Sequence, residues 1–352
     1  MPEKTELQSS NDIHVVAHPH CTLCRSDGVV LYDNLTDRIF DAPGMWGLKR
    51  CLNPKCGLIW LDPMPVVEDI HIAYLNYHTH EDNSSPSSFP YRVYNAIRFG
   101  YLQKKFGYAK GVGPRWYKYL APLAWFHPAG SDHAKASAMF LPAPRDGARL
   151  LDVGCGNGYL LKRMSEMGWQ VAGTEVDAEA LKVARSRGLT VYHGELSDQN
   201  FPDNSFDAVH LGNVIEHVYD PLALIQGCRR ILKPAGKLVI LTPNSVSWGH
   251  KHFKADWRGL EPPRHLQIFN PPSIKLVLEA AGFPAGQIKV ITRVTEVLYI
   301  SNMLKISKER YLGSPGNALV PKLIRMSWLL WERVLRLANS ETGDEIVAVA
   351  EK

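Results

Sequence analysis

The sequence contains no uncharged apolar run near the roughly 18 residues that a membrane-spanning helix needs. Its first residues, Met1–Asp12, are polar and hold no apolar core, which excludes a secretory leader. Both absences lead to the expectation of a cytoplasmic protein, where thiols stay reduced. Cysteine is scarce, six in 352 residues, which is too few for a disulfide scaffold of this length. Acid is missing from one long stretch. Between Tyr91 and Phe126 there are seven Lys or Arg and eleven aromatics, with no Asp or Glu. That local excess is larger than the +5 of the whole chain, so the remainder is slightly acidic. The hydrophobic content of 45% suffices for one large domain and a smaller one.

What is present is most informative at Arg149–Gly158. An apolar strand (Leu150, Leu151, Val153) runs into Gly154, Gly156 and Gly158, and a helix is expected from Tyr159. Glycines at a strand end let the backbone turn sharply and let a ligand lie against it. A dehydrogenase fingerprint would need glycine at 159, where Tyr159 stands. Further landmarks follow in order. Gln170–Glu175 is a strand ending in an acid, placed to accept ribose hydroxyls. Ala178–Arg187 reads as a helix, Leu189–His193 as a strand followed by Gly194-Glu195-Leu196, and Ser205–Leu211 as a strand followed by Gly212–Val218. Lys237–Asn244 is a fifth strand, and Gln287–Val297 and Glu345–Val349 read as the last two. Alternating strands and helices imply a parallel α/β sheet with its ligand across the carboxyl ends of the strands.

The loop, "SFDAVHLGNVIEHVYDP" and "ILKPAGKLVILTPN" together resemble class I S-adenosylmethionine-dependent methyltransferases. The resemblance covers about 150–296, with 344–352 as the closing strand. It implies a Rossmann-like, doubly wound, seven-stranded sheet with S-adenosylmethionine as cofactor. The cofactor contacts it carries over are Asp152, Gly154, Gly156, Gly158, Glu175 and Asn213. Glu195 would meet the adenine amino group, and the backbone N–H of Leu196 the ring.

Four cysteines lie early, as Cys21-x-x-Cys24 and then Cys51 and Cys56. Two close pairs suit a tetrahedral zinc site of four thiolates; two disulfides or unliganded thiols are the alternatives. The surrounding text resembles the zinc ribbon that precedes many bacterial methyltransferases of this class, with two extra residues in the second pair. Four cysteine ligands leave no place for catalytic water, so such a zinc is structural. Cys155 and Cys228 read as packing residues.

The expected organisation is a flexible tail at 1–17, a zinc ribbon at 18–78, a basic aromatic linker or lid at 79–146, and the methyltransferase domain at 147–352 with a helical insertion at about 298–342. Ser84–Ser88 is a polar linker. In the insertion, Val320, Leu323, Ile324, Trp328, Trp331, Val334, Leu335 and Ala338 share one helix side, and Lys322, Arg325, Glu332, Arg333 and Arg336 the other. Such a helix either packs on its own domain or lies in a bilayer surface. The 91–126 stretch is read the same way, as a lid, a lipid contact or a contact to nucleic acid.

Methyl transfer to a hydroxyl needs alignment of acceptor and methyl, and a base for the proton. His217, with Glu216 beside it, and His265 lie just past the fourth and fifth strands and are the candidates. Either histidine can equally serve to hold its loop. In ubiquinone-type O-methyltransferases a similar "EHV" stretch has an acid three residues before the Glu, and the group can hold a metal. Asn213 stands there in this chain. The acceptor is expected to be a hydroxyl of a saccharide or lipid-linked molecule, met at the cytoplasmic face of a membrane. The alternatives are a ribosomal-RNA base, a ubiquinone-type phenol, or cofactor binding without catalysis. Amino-group methylation of bases usually shows Asn/Asp-Pro-Pro-Tyr after the fourth strand, and this chain has Gly212-Asn213-Val214-Ile215.

Overall fold

A computed structural model describes residues 13–76, 88–307 and 319–352. The expected tail through residue 12, most of the Ser84–Ser88 linker and the middle of the insertion lie outside the described residues. Seven strands form one sheet: β1 (Arg149–Val153), β2 (Gln170–Glu175), β3 (Val191–His193), β4 (Phe206–Gly212), β5 (Leu232–Pro243), β6 (Ile288–Arg293) and β7 (Glu345–Glu351). Their spatial order is β6-β7-β5-β4-β1-β2-β3. The first five are parallel, and β7 runs antiparallel between β5 and β6. The chain order reverses between β1 and β4, which opens a crevice at their carboxyl ends. This is the expected Rossmann-like α/β sheet. β5 starts five residues early, at Leu232, with an irregular register before Lys237. Ala235 takes a φ of 60° there.

Local chemistry sets the helix starts. Asp177 accepts from Glu179 and Ala180 N–H and caps Ala178–Ser186; Asp220 accepts from Ala223 N–H and caps Pro221–Ile231. Asn270 and Ser273 form a reciprocal capping box on Pro271–Ala280.

Strand side chains alternate, so the sheet has two cores. Leu151, Val153, Leu211, Ile240 and Ile346 lie on one side and pack with the Pro221–Ile231 and Pro271–Ala280 helices. Cys21, Cys56, Leu58 and Trp60 from the cysteine region join this same core. Leu150, Val239, Leu241 and Val347 lie on the other side, against Leu102, Tyr108, Val112, Met139 and Met164. The inner side of the basic aromatic stretch therefore covers one face of the sheet.

A second sheet of four strands ties the cysteine region to the rest. Its order is Gln267–Ile268, Ile59–Leu61, Trp46–Cys51, Gly28–Leu35, all antiparallel. The edge strand Gln267–Ile268 begins two residues after His265, and Leu61 N–H donates to the carbonyl of the intervening Leu266, so the small sheet fixes where that histidine lies. Gly28 is required there, because a Cβ would lie 2.2 Å from the Trp60 ring.

The Leu319–Ala338 helix sits differently from its sequence pattern. Glu332, on the expected polar side, is fully buried, with its carboxylate accepting from Asp344 and Thr295 N–H. Leu323, Ile324, Trp331 and Val334, on the expected apolar side, are exposed. The ion pair of Arg336 with Asp132 and the hydrogen bonds to Glu332 anchor the polar side inward. An apolar stripe is thereby left outside.

Candidate active site

The three loop glycines all have positive φ: 68° at Gly154, 55° at Gly156 and 75° at Gly158. A Cβ at Gly154 would lie 2.7 Å from Val214, and one at Gly158 2.5 Å from Leu189. At Gly156 a Cβ would meet nothing within 4 Å. Gly156 thus faces the open side of the crevice, while its neighbours face packing. Glu175 is buried at the end of β2; one oxygen accepts from Gly156 N–H at 2.7 Å and the other from Asp177 N–H at 2.9 Å. Burial pushes its carboxyl up from the ordinary value. Glu195 is exposed after β3, and Asn213, at φ 55°, is exposed after β4. Leu196 buries its side chain in the core. Asp152 spends its carboxylate on His210 Nδ1 at 2.7 Å, bridging the paired strands β1 and β4. Nothing in the sequence signals that pair, since His210 sits inside an apolar strand.

Glu216, His217 and His265 come together: one ligand atom from each lies within 4.8 Å of the others. His217 and His265 rings meet edge to face at 4.8 Å between centroids. His217 Nδ1 lies 2.9 Å from the Arg264 carbonyl and 3.1 Å from Tyr74 Oη. A carbonyl can only accept, so Nδ1 carries the proton and Nε2 keeps its lone pair. His265 Nδ1 likewise donates to the Gly259 carbonyl at 2.8 Å. Burial lowers both imidazoles, His265 to about 3. Both are neutral near pH 7. His217 retains partial exposure, whereas His265 is buried. Burial pushes the Glu216 carboxyl up to about 8. Thr242 Oγ1 donates to one of its oxygens at 3.0 Å, and the other has no partner among the described residues.

A network missed from the sequence holds this trio. Arg264 is fully buried, donating to Asp37, Glu261 and the Ala73 carbonyl. Glu261 also pairs with Arg258 and lies 3.6 Å from His265 Nε2. Asp37 further accepts from Ile39, Phe40 and Ala42 N–H. Asp37 lies 227 residues from Arg264, so no local pattern pairs them.

The early cysteines also converge. Cys21 and Cys56 Sγ are 3.7 Å apart, Cys24 and Cys51 Sγ 3.4 Å, and all four lie within 4.8 Å. Those separations exceed a disulfide bond of about 2.05 Å. They fit sulfurs bound at about 2.3 Å to one tetrahedral ion. Turns shape the two pairs: Arg25 N–H returns to the Cys21 carbonyl, and Cys56 and Gly57 N–H to that of Asn53.

Residues 129–285 match the family model described as a methyltransferase domain. The chain contains a class I S-adenosylmethionine-dependent methyltransferase domain. It is 35% identical over 169 residues to the ubiquinone biosynthesis O-methyltransferase of Xanthomonas oryzae pv. oryzae (strain PXO99A), covering 46% of this chain and 66% of that protein. It is 39% identical over 130 residues to the protein of that name from Xanthomonas campestris pv. campestris (strain B100), covering 35% and 52%. The chain thus spans between half and two thirds of the length of these relatives. Among solved structures, an S-adenosylmethionine-dependent methyltransferase from Archaeoglobus fulgidus superposes with a TM-score of 0.42 at 20% identity, covering 68% of this chain and 100% of that one. The methyltransferase domain places its glycine loop at the β1 end of the crevice and the Glu216–His217 turn at the adjacent β4 end.

Proposed function

We propose that the chain transfers the methyl group of S-adenosylmethionine to a hydroxyl of a small molecule, with His217 as the base. The observation that carries this is the His217 ring: Nδ1 is committed to the Arg264 carbonyl, which leaves Nε2 as a proton acceptor at the crevice. His265 and Glu216 position it. The relatives' names favour a phenolic hydroxyl over the saccharide or lipid-linked acceptor expected from the sequence. The test is radiolabel transfer from S-adenosylmethionine to a catechol carboxylate such as 3,4-dihydroxybenzoate, run beside a cell extract split into lipid, RNA and small-molecule fractions. Label confined to the RNA fraction would overturn the reading.

The cofactor occupies the crevice over Gly156, with Glu175 on its ribose and Glu195 and Leu196 beside its adenine. Gly156→Arg places a long side chain in that open space and strains a positive φ. Calorimetry should show S-adenosylhomocysteine binding to the parent and none to the variant. Binding of NADH with no response to S-adenosylhomocysteine would refute the assignment.

Cys21, Cys24, Cys51 and Cys56 hold one structural zinc in this reading, supported by the sulfur geometry.

The protein also meets a membrane from its cytoplasmic face. No helix among the described residues is long and apolar enough to cross one. The Leu319–Ala338 helix, however, leaves Leu323, Met326, Leu330, Val334 and Leu337 exposed along one stripe. Arg333 joins it to the basic aromatic stretch, donating to the Trp125 carbonyl at 2.5 Å with its guanidinium 4.4 Å from the ring centroid. Trp116, Tyr119, Trp125 and Phe126 are exposed there, with Arg115 and Lys118. Apolar side chains ringed by cations suit an anionic bilayer surface. A Leu330→Ser, Val334→Ser, Leu337→Ser variant should lose sedimentation with phosphatidylglycerol vesicles while its melting temperature stays within a few degrees. Undiminished vesicle binding would refute this, and dissociation of a dimer would show that a second copy covers the stripe.

A further inference from the structure

One segment of the chain holds each residue of the Glu216–Val218 turn in succession. Leu266 N–H donates to the Glu216 carbonyl at 2.8 Å. The Arg264 carbonyl accepts from His217 Nδ1 at 2.9 Å. Gln267 Nε2 donates to the Val218 carbonyl at 3.0 Å. The first two holds use the main chain of the segment and survive any change of side chain there. The third depends on the amide of Gln267, which is fully buried. Its neighbours Leu266 and Ile268 are apolar and fully buried as well. An amide in such surroundings costs free energy unless its polar ends are paired.

The other end of that amide reaches the cysteine region. A carbonyl can only accept, so Val218 fixes the amide nitrogen on its own side and turns Oε1 the opposite way. There Oε1 accepts from Thr22 Oγ1 at 2.8 Å. Thr22 stands between Cys21 and Cys24, in the first cysteine turn. Thr22 and Gln267 lie 245 residues apart in sequence. The second cysteine turn abuts the same segment. Gly57 follows Cys56, and a Cβ there would lie 2.8 Å from Asn270 Nδ2. The Gln267 backbone also pairs with Trp60 in the small sheet.

We propose that Gln267 is a positioning residue for methyl transfer, its amide carrying the placement of the first cysteine turn, through Thr22, to the turn that presents His217. This role rests on the reading of His217 as the base. Without Nε2 the Val218 carbonyl lacks its donor, and the turn shifts to find another. A displacement of about an ångström at a reacting group can cost on the order of a hundredfold in rate. Gln267 itself touches neither cofactor loop nor imidazole, so its effect runs through the Val218 carbonyl.

The test uses the full chain as purified and three variants. Gln267→Met keeps the size of the side chain and removes both hydrogen bonds. Thr22→Val removes the hydroxyl, and Thr22→Ser keeps it. The readouts are metal content, S-adenosylhomocysteine affinity, the His217 titration by nuclear magnetic resonance of histidine-labelled protein, and the rate with 3,4-dihydroxybenzoate. Burial holds His217 below its ordinary 6.5 in the parent. Gln267→Met and Thr22→Val should keep the parent's metal content and S-adenosylhomocysteine affinity. Both should move the His217 titration up toward 6.5 and lower kcat by about tenfold to a hundredfold at unchanged KM. The double variant should fall no further than Gln267→Met alone, because both changes break one bridge. Thr22→Ser should behave as the parent does. A Gln267→Met protein with the parent's titration and rate overturns the role. So do losses that multiply in the double variant. So does a Gln267→Met protein that melts early and loses S-adenosylhomocysteine, since the glutamine would then serve the fold alone. A shifted titration in Gln267→Met, beside a His217→Ala protein with the parent's rate, would keep the bridge and count against His217 as the base. No turnover of 3,4-dihydroxybenzoate by the parent would count against the phenolic acceptor, and the titration would still decide the bridge.

Discussion

His217→Ala should bind S-adenosylhomocysteine as the parent does and lose on the order of a hundredfold to ten-thousandfold in kcat, the usual contribution of a positioned base. Cofactor binding survives because the loop glycines and Glu175 do not touch the imidazole. The pH profile sharpens the expectation. Burial lowers His217 below its ordinary 6.5, so the imidazole is in its accepting form at neutral pH. The parent rate should hold steady from pH 7 downward past 6.5 and fall only below that. Glu216 gives a second limb. Its carboxyl is neutral until about pH 8 and then ionises. A carboxylate beside His217 raises the imidazole's basicity, so kcat should rise as pH passes 8. Glu216→Gln should remove that rise and leave the acid limb in place. The same group makes a stability statement. A carboxyl raised on folding stabilises most below its unfolded value near 4.5, and that contribution is lost as pH climbs through 8. Glu216→Gln should therefore melt later than the parent at pH 9 and change little at pH 5. A His217→Ala enzyme with the parent's rate would leave the base elsewhere, with His265 next in line. Its value of about 3 makes it a poor acceptor of a hydroxyl proton.

The methyltransferase sheet was legible because its signals are local. Apolar runs end in glycine or acid at β1, β2 and β4, and the helix after β2 begins at Ala178 as the sequence places it, with Asp177 accepting from its first turn. The cysteine quartet was legible for the same reason, as two short-range pairs. Four things were not. Asp152 and His210 pair through strand register, which spacing does not reveal. The Asp37–Arg264–Glu261 network joins residues from distant parts of the chain, and each alone reads as an ordinary surface charge. Gln267–Ile268 is too short to show strand periodicity, yet it carries the small sheet to His265. The orientation of the Leu319–Ala338 helix ran against its pattern except at Trp328, which packs on Phe253 and Trp248, because helical periodicity sorts residues by side without saying which side finds partners. There Glu332 found two backbone N–H donors inside, while Leu323, Leu330 and Leu337 stayed outside.

Removal of zinc is expected to reach the active site. The sequence treats the cysteine region as a separate module, whose loss would leave cofactor affinity within a few-fold. The structure gives a more particular outcome. Cys21 and Cys56 are fully buried in the core that includes Leu151 and Ile240, and the strand Ile59–Leu61 of the cysteine region pairs with Gln267–Ile268. Asp37 of the same region holds Arg264, whose carbonyl orients His217. Cys24→Ser should release the ion, which purified protein should contain at about one per chain. Structural zinc sites bind with apparent free energies of roughly 10–16 kcal/mol, comparable to the stability of a whole domain, so the ribbon should lose its fixed structure. S-adenosylhomocysteine affinity should stay within a few-fold, because Gly154–Gly158 and Glu175 are built on β1 and β2. Methyl transfer should fall at least tenfold, because the Gly259–Ile268 segment loses its strand partner and the two histidines lose their fixed rings. Metal analysis, calorimetry and rate measurement on one preparation separate these expectations. Zinc-free protein with full activity would show that the cysteines hold no ion. Zinc loss with activity intact would show that Arg264 and His265 keep their places without the ribbon.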